Sequence, residues 1–140
     1  MERLPHAKGF WELIVYQRAR ELQRQVFECS KAFPKAETYA LTDQMRRAAR
    51  SIGAQIAEAW GKRAYEKHFV SKLTDATSEM FETQHWIIAA VDAGYLPREI
   101  GRMLSSMQDK SSDFCSDAFT TIVRESSTEW FFDQAHIFAA

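Results

Sequence analysis

The chain has 140 residues, 46% apolar and 26% charged, with only 5 glycines and 3 prolines, which excludes a disordered chain and suits one domain of long helices joined by short turns. Net charge is −1, yet residues 44–72 carry 7 basic and 2 acidic side chains while residues 73–140 carry 4 basic and 11 acidic. That asymmetry predicts a basic surface which the total conceals.

Residues 1–9 read as a loose leader, with Pro5 and Gly9 as breakers. A first helix is expected from Phe10 to Lys31, where Val15, Ala19, Leu22, Val26, Cys29 and Phe33 step by four and three like the seam of a packed helix. Trp11 broadens the apolar face at its start, and Pro34 ends it.

The second helix is the clearest. Leu41, Met45, Ala48, Ile52, Ile56 and Ala59 form a stripe of helical period, with Arg46, Arg47 and Arg50 facing away from it. Thr42 or a neighbour is expected to cap this helix, and Gly61 to break it. The short connection that follows makes the next helix an antiparallel neighbour.

The third helix is expected from Tyr65 to Ala93, with Phe69, Leu73, Ala76, Met80, Thr83, Ile87 and Ala90 on its seam. A second row of Val70, Thr77, Phe81, Ile88 and Val91 is too much apolar surface for one seam. Gly94 suits the position just past the helix end, and Pro97 the start of the next. The fourth helix is expected over Pro97–Val123, with Ile100, Leu104, Met107, Ser111, Phe114 and Ala118 inward. Ser126 and Glu129 then read as a capping box opening a short tail helix with Trp130, Phe131, Phe132, Ile137 and Phe138. So many large apolar residues fold onto the chain's own bundle or dock on a partner subunit.

The expected fold is all-α: an antiparallel up-down-up-down four-helix bundle over residues 10–123, with an aromatic tail over 124–140. Cys29 and Cys115 fit no metal spacing and read as free thiols of a reducing compartment. The N-terminus does not read as a signal peptide. No apolar run approaches the roughly 20 residues of a membrane span, so a cytoplasmic protein is expected.

Phe33-Pro34, the run Leu41-Thr42-Asp43-Gln44-Met45-Arg46-Arg47-Ala48, then Ser51-Ile52 and Ile56-Ala57-Glu58, carry a family likeness. Together with Phe69, Leu73, Glu79, Glu82 and Gly94-Tyr95-Leu96, this pattern resembles the four-helix-bundle proteins encoded in intervening sequences of bacterial large-subunit ribosomal RNA genes. The likeness spans about Phe10 to Val123, with Arg47, Ile52 and Glu58 as its structural signature. That family includes the accessory variability determinant of diversity-generating retroelements, a basic, barrel-like homopentamer that binds nucleic acid and a reverse transcriptase. The resemblance therefore implies a homo-oligomer, with a pentamer favoured, and no enzymatic activity. This chain departs in having Gln55 and Ala59 where the family has Asn and Gly, in its near-neutral charge, and in the tail after Val123.

Arg46, Arg47, Arg50, Lys62, Arg63, Lys67 and Lys72 are the candidate nucleic-acid contacts, since arginine forks and lysine ammonium groups neutralise phosphates and release counterions. The structural alternative pairs some of them, Arg47 foremost, with acids of the third and fourth helices and leaves the rest solvated. Arg47 and Glu58 lie 11 residues apart, on one face but three turns distant, so each needs a partner elsewhere. Trp11, Trp60, Trp130, Phe131, Phe132 and Phe138 are interface candidates, and Trp60 beside Lys62 and Arg63 either packs on a neighbour or stacks on a base. Glu82 and His85 have the Glu-x-x-His spacing of di-iron bundles, but the further ligands are missing, as only Asp133 and His136 repeat it. His68 reads as a solvated or interface histidine, and His6 lies in the leader. No nucleophile–base arrangement or phosphate loop occurs, and no cofactor or metal is expected. The function expected is a non-enzymatic, self-assembling scaffold or accessory protein that binds RNA or DNA through its basic second helix, in the manner of a reverse-transcriptase accessory factor. The alternative is a protein–protein adaptor with no nucleic-acid role.

Overall fold

The computed structural model describes residues 7–108 and Ile122. Every regular element among them is helical: α1 (Ile14–Ser30), α2 (Asp43–Gly61), α3 (Glu66–Asp92) and α4 (Arg98–Met107), with tight or wide helical turns ahead of α1 and α2. α2 packs along α3 and against α1, while α4 reaches both α1 and α3. The core lies among these four helices and includes Ile122.

The first helix starts later than its periodicity suggests. Phe10–Glu12 form a 3-10 turn, Leu13 is extended (ψ 134°), and only then does α1 begin. The break turns Leu13 wholly inward while Trp11 stays 56% exposed, and it lays Phe10 edge-on against Tyr16 at 5.0 Å. Val15, Ala19, Leu22 and Val26 form the seam as expected, but its next step is Ser30, with Cys29 only half-buried. Ser30 tolerates burial because its hydroxyl donates to the Phe27 carbonyl (3.0 Å) and accepts from Arg46 Nε (2.7 Å). Burial, and secondarily Glu28, pushes the Cys29 thiol pKa up, so it is a poor nucleophile.

The cap expected at Thr42 is absent. The chain is already helical through a π-type turn over Thr38–Thr42, and Thr42 is itself buried in helical conformation with no side-chain cap. The wide turn carries Leu41 into the core ahead of Met45. The whole α2 stripe is buried, and Ala49 and Gly53 beside it are small enough for α1 to approach. A Cβ on Gly53 would meet the Tyr16 ring at 3.4 Å.

All seven seam residues expected on α3 are buried. Its outer row separates from them: Val70, Thr77 and Val91 are half-buried, whereas Phe81 and Ile88 are 57% and 58% exposed. α3 ends in a Schellman motif, with Gly94 at φ +79° donating to Val91 C=O and Tyr95 N–H donating to Ala90 C=O, both at 3.0 Å. Tyr95 then donates its hydroxyl to Glu37 (3.2 Å), tying the α3–α4 turn to the α1–α2 connection. Leu104 is fully buried on α4, with Ile100 and Met107 half-buried, but the helix expected over Pro97–Val123 breaks after Met107, where Gln108 is extended (ψ 146°). Ser111, Phe114, Ala118, Cys115 and the residues of the expected tail helix lie outside the described residues.

Candidate nucleic-acid interface

The basic residues of α2 and its flanking turn do not form one patch. On the outer face of α2, Arg46, Arg47 and Arg50 line an open groove of about 390 Å³ with Asp43, Ser51 and Ala54. The floor of this arrangement comes from α1. The Phe27 ring lies under the Arg46 guanidinium at 4.7 Å, under Arg50 at 5.8 Å and under Lys31 Nζ at 5.0 Å. Arg46 is fixed further by its bond to Ser30. Cation–π contacts and a buried hydroxyl thus hold guanidinium groups at the surface without neutralising them. Arg47 is exposed, and among the described residues no ion pair joins it to a carboxylate. Lys31 differs, since it also pairs with Glu28 at 3.0 Å.

Phe27 and Lys31 were not legible as site residues from sequence, because they belong to another helix. Tyr39 was also missed. It is 81% exposed one turn ahead of Asp43, a lining residue of the groove, and the π-type turn leaves its ring in solvent. An exposed aromatic spaced at helical intervals from a row of arginines was the available signal.

Lys72 has a different place. Its ammonium lies 2.8 Å from Glu58, 3.4 Å from Asp75 and 3.4 Å from the Gln55 amide oxygen, so it clamps α2 to α3. The hydrogen bond from Lys72 and its charge hold the Glu58 carboxyl below its ordinary value of 4.5, and Glu58 chiefly holds Lys72 above 10.5. Glu58, which needed a partner away from Arg47, therefore finds it on α3, and Gln55 joins the same clamp.

Around the α2–α3 turn, Arg63 stacks on Trp60 at 4.1 Å and donates to the Trp60 carbonyl (2.8 Å). Trp60 also packs on the core, so a base could reach its outer face only by displacing that guanidinium. Lys62 and Lys67 are exposed. Lys62 lies about 18 Å along the α2 axis from Arg50, beyond a Debye length at physiological salt, and Lys67 belongs to α3. Glu82 accepts from the Trp86 indole at 3.2 Å and His85 stacks edge-on to that ring at 4.8 Å. His68 is exposed and meets the Tyr65 ring edge-on at 6.2 Å. Among the described residues no group of three metal-ligating side chains occurs, and no helix is long and apolar enough to cross a membrane. Trp130, Phe131, Phe132 and Phe138 lie outside the described residues.

Residues 11–116 match the family described as 23S rRNA-intervening sequence protein. The chain belongs to this family. Within the family signature, Ile52 is a core residue of α2, Glu58 is the acid of the interhelical clamp, and Arg47 lines the open groove. A solved structure of a protein of unknown function from the S23 ribosomal protein family of Bacteroides thetaiotaomicron is similar in fold. It is 23% identical, covers 78% of this chain and 98% of its own, and superposes with a TM-score of 0.63. No curated relative matches the chain. Residues 117–140 lie outside the family match.

Proposed function

We propose that this chain is a non-enzymatic, self-assembling up-down-up-down helical bundle acting in the cytoplasm, which binds the sugar-phosphate backbone of RNA or DNA in the α2 groove. The observation that carries this reading is the Phe27 platform, which presents Arg46 and Arg50 beside the exposed Arg47. Three arginines against the single Asp43 leave the groove with a net charge of +2. Its size suits one or two phosphates. One such site is weak, and ring assembly, with a pentamer favoured by the resemblance, would repeat it around the particle and multiply its effect through avidity. The resemblance to the retroelement accessory determinant adds a reverse transcriptase as the protein partner in this reading.

Fluorescence anisotropy of a labelled structured RNA over a salt series tests it. Log affinity falls linearly with log salt, with a slope of about 0.7 to 0.9 per phosphate neutralised. Arg46→Glu, Arg47→Glu and Arg50→Glu together abolish binding, whereas Lys72→Glu lowers the melting temperature and leaves the slope unchanged. Absence of binding at low salt, where attraction is least screened, sinks the reading. A second reading, a protein–protein adaptor, draws on the exposed Phe81 and Ile88 of α3.

A further inference from the structure

A second open groove, of about 440 Å³, runs between α3 and α4 on a surface apart from the arginines of α2. Ile87 and Gly101 are buried beneath it, Val91 is half-buried, and Ile88 stands 58% exposed at its edge. The helices approach so closely at Gly101 that a Cβ there would lie 2.7 Å from Val91 Cγ2. Arg98 and Arg102 are exposed along the α4 side, opposed by Asp92 alone among the lining carboxylates. Phe81, one heptad before Ile88 and about 10 Å away along α3, is exposed as well, with Gln84 and His85 between them. Exposed apolar surface lining a groove of this kind marks a contact site.

We propose that the aromatic C-terminal segment of the same chain, residues 126–138, docks its apolar side chains in this groove. Its chemistry is complementary. Trp130, Phe131, Phe132, Ile137 and Phe138 supply the anchors, and Glu129 and Asp133 supply the charge that Arg98 and Arg102 face. Residues 124–140 carry three acids and one base, net −2, while the groove is net +1. The reach is sufficient. Ile122 is fully buried in the core that also holds Ile87 and Leu104, and the eight residues from it to Trp130 extend up to roughly 28 Å, against about 15 Å for the whole of α4.

Tethering decides between this tail and that of a second copy. A short flexible linker gives an effective concentration in the millimolar range, far above that of a neighbouring molecule in solution. The proposal is independent of the nucleic-acid reading, since no residue of the α2 groove takes part.

Alkylation of a full-length Ile88→Cys variant by iodoacetamide provides the test, with Cys29 and Cys115 resolved separately by peptide mass mapping. The thiol introduced at position 88 reacts about tenfold or more slowly than in the same chain carrying Trp130→Asp, Phe131→Asp and Phe138→Asp, as expected for a site open only a small fraction of the time. Its protection is the same from about 1 to about 50 μM protein, and an Ile88→Cys chain that carries the three aspartates stays reactive when co-refolded with excess chain of intact tail, because docking within one chain neither depends on concentration nor uses a neighbour's tail. Helical circular dichroism, retained in both chains, excludes unfolding as the cause. A milder variant, Arg102→Glu, also speeds the reaction without touching the tail. Equal rates with and without the aspartates overturn the proposal. Protection that grows with concentration, or that a neighbouring chain's intact tail restores to the aspartate chain, overturns it in favour of a second copy on this face.

Discussion

Gly101 shows how much one missing methyl group can decide. Its absence lets α4 approach α3 until Val91 occupies the space a Cβ would need, at 2.7 Å. Gly101→Ala is expected to destabilise the fold by about 1–3 kcal/mol, as overpacking does, despite alanine's better helix propensity. A urea titration measures this, and a gain in stability would show that Val91 simply rotates away. Gly94 acts through its backbone: nothing lies within 4 Å of a Cβ there, yet its φ of +79° is one that L side chains avoid. Gly94→Ala should therefore cost about 1 kcal/mol, without the repacking expected at Gly101.

At the scale of the helices, charge divides into a stapled side and a free side. The Glu58–Lys72–Asp75 clamp joins α2 to α3, and its pH dependence follows from its shifts. Glu58 is held below its ordinary 4.5, so its contribution is complete above that value and is lost as pH falls through the depressed one. Lys72 is held above 10.5, so its contribution persists below that value and fades only at still higher pH. The difference in melting temperature between the parent chain and Lys72→Met is accordingly constant from about pH 6 to 9 and shrinks on acidification below about 4.5. Glu79 behaves oppositely. Burial, with Glu82 and Asp75 on the same helix, raises its pKa, so the ionised form is penalised in the fold. Glu79→Gln should stabilise the protein at pH 7 by about 0.2–0.5 kcal/mol, the scale of a like-charge pair one turn apart, and the gain should disappear as pH falls below the raised value. Calorimetry at two pH values checks both signs.

For the molecule as a whole, the charged α2 face and the apolar α3–α4 face assign separate work to separate surfaces. Charge reversal at Arg46, Arg47 and Arg50 should remove the proposed RNA binding and leave the oligomeric state, measured by sedimentation equilibrium, unchanged. If assembly falls apart as well, the arginines sit between subunits and the phosphate reading loses its basis. A ring of repeated sites also predicts that a dissociated subunit binds RNA more weakly than the assembled particle, by about 10² or more where two sites engage one strand.

The sequence by itself determined the helices and their inner faces, because apolar side chains at helical spacing have a single way to leave water together. The seven seam residues of α3, the α2 stripe and the role of Gly94 were all legible on that ground. Periodicity reports only which side of a helix is apolar. The inward turn at Leu13, the burial of Ser30 in place of Cys29 and the wide turn before Asp43 followed from fitting neighbouring helices together. The same limit holds for the site. Of seven basic residues Arg47 read as the foremost structural one, and only tertiary structure showed that Lys72 is the one held by Glu58, while Arg47 stays exposed beside the arginines carried on Phe27. Charges interact through space over a few ångströms, and the distances that decide their partners are set by which helix lies beside which.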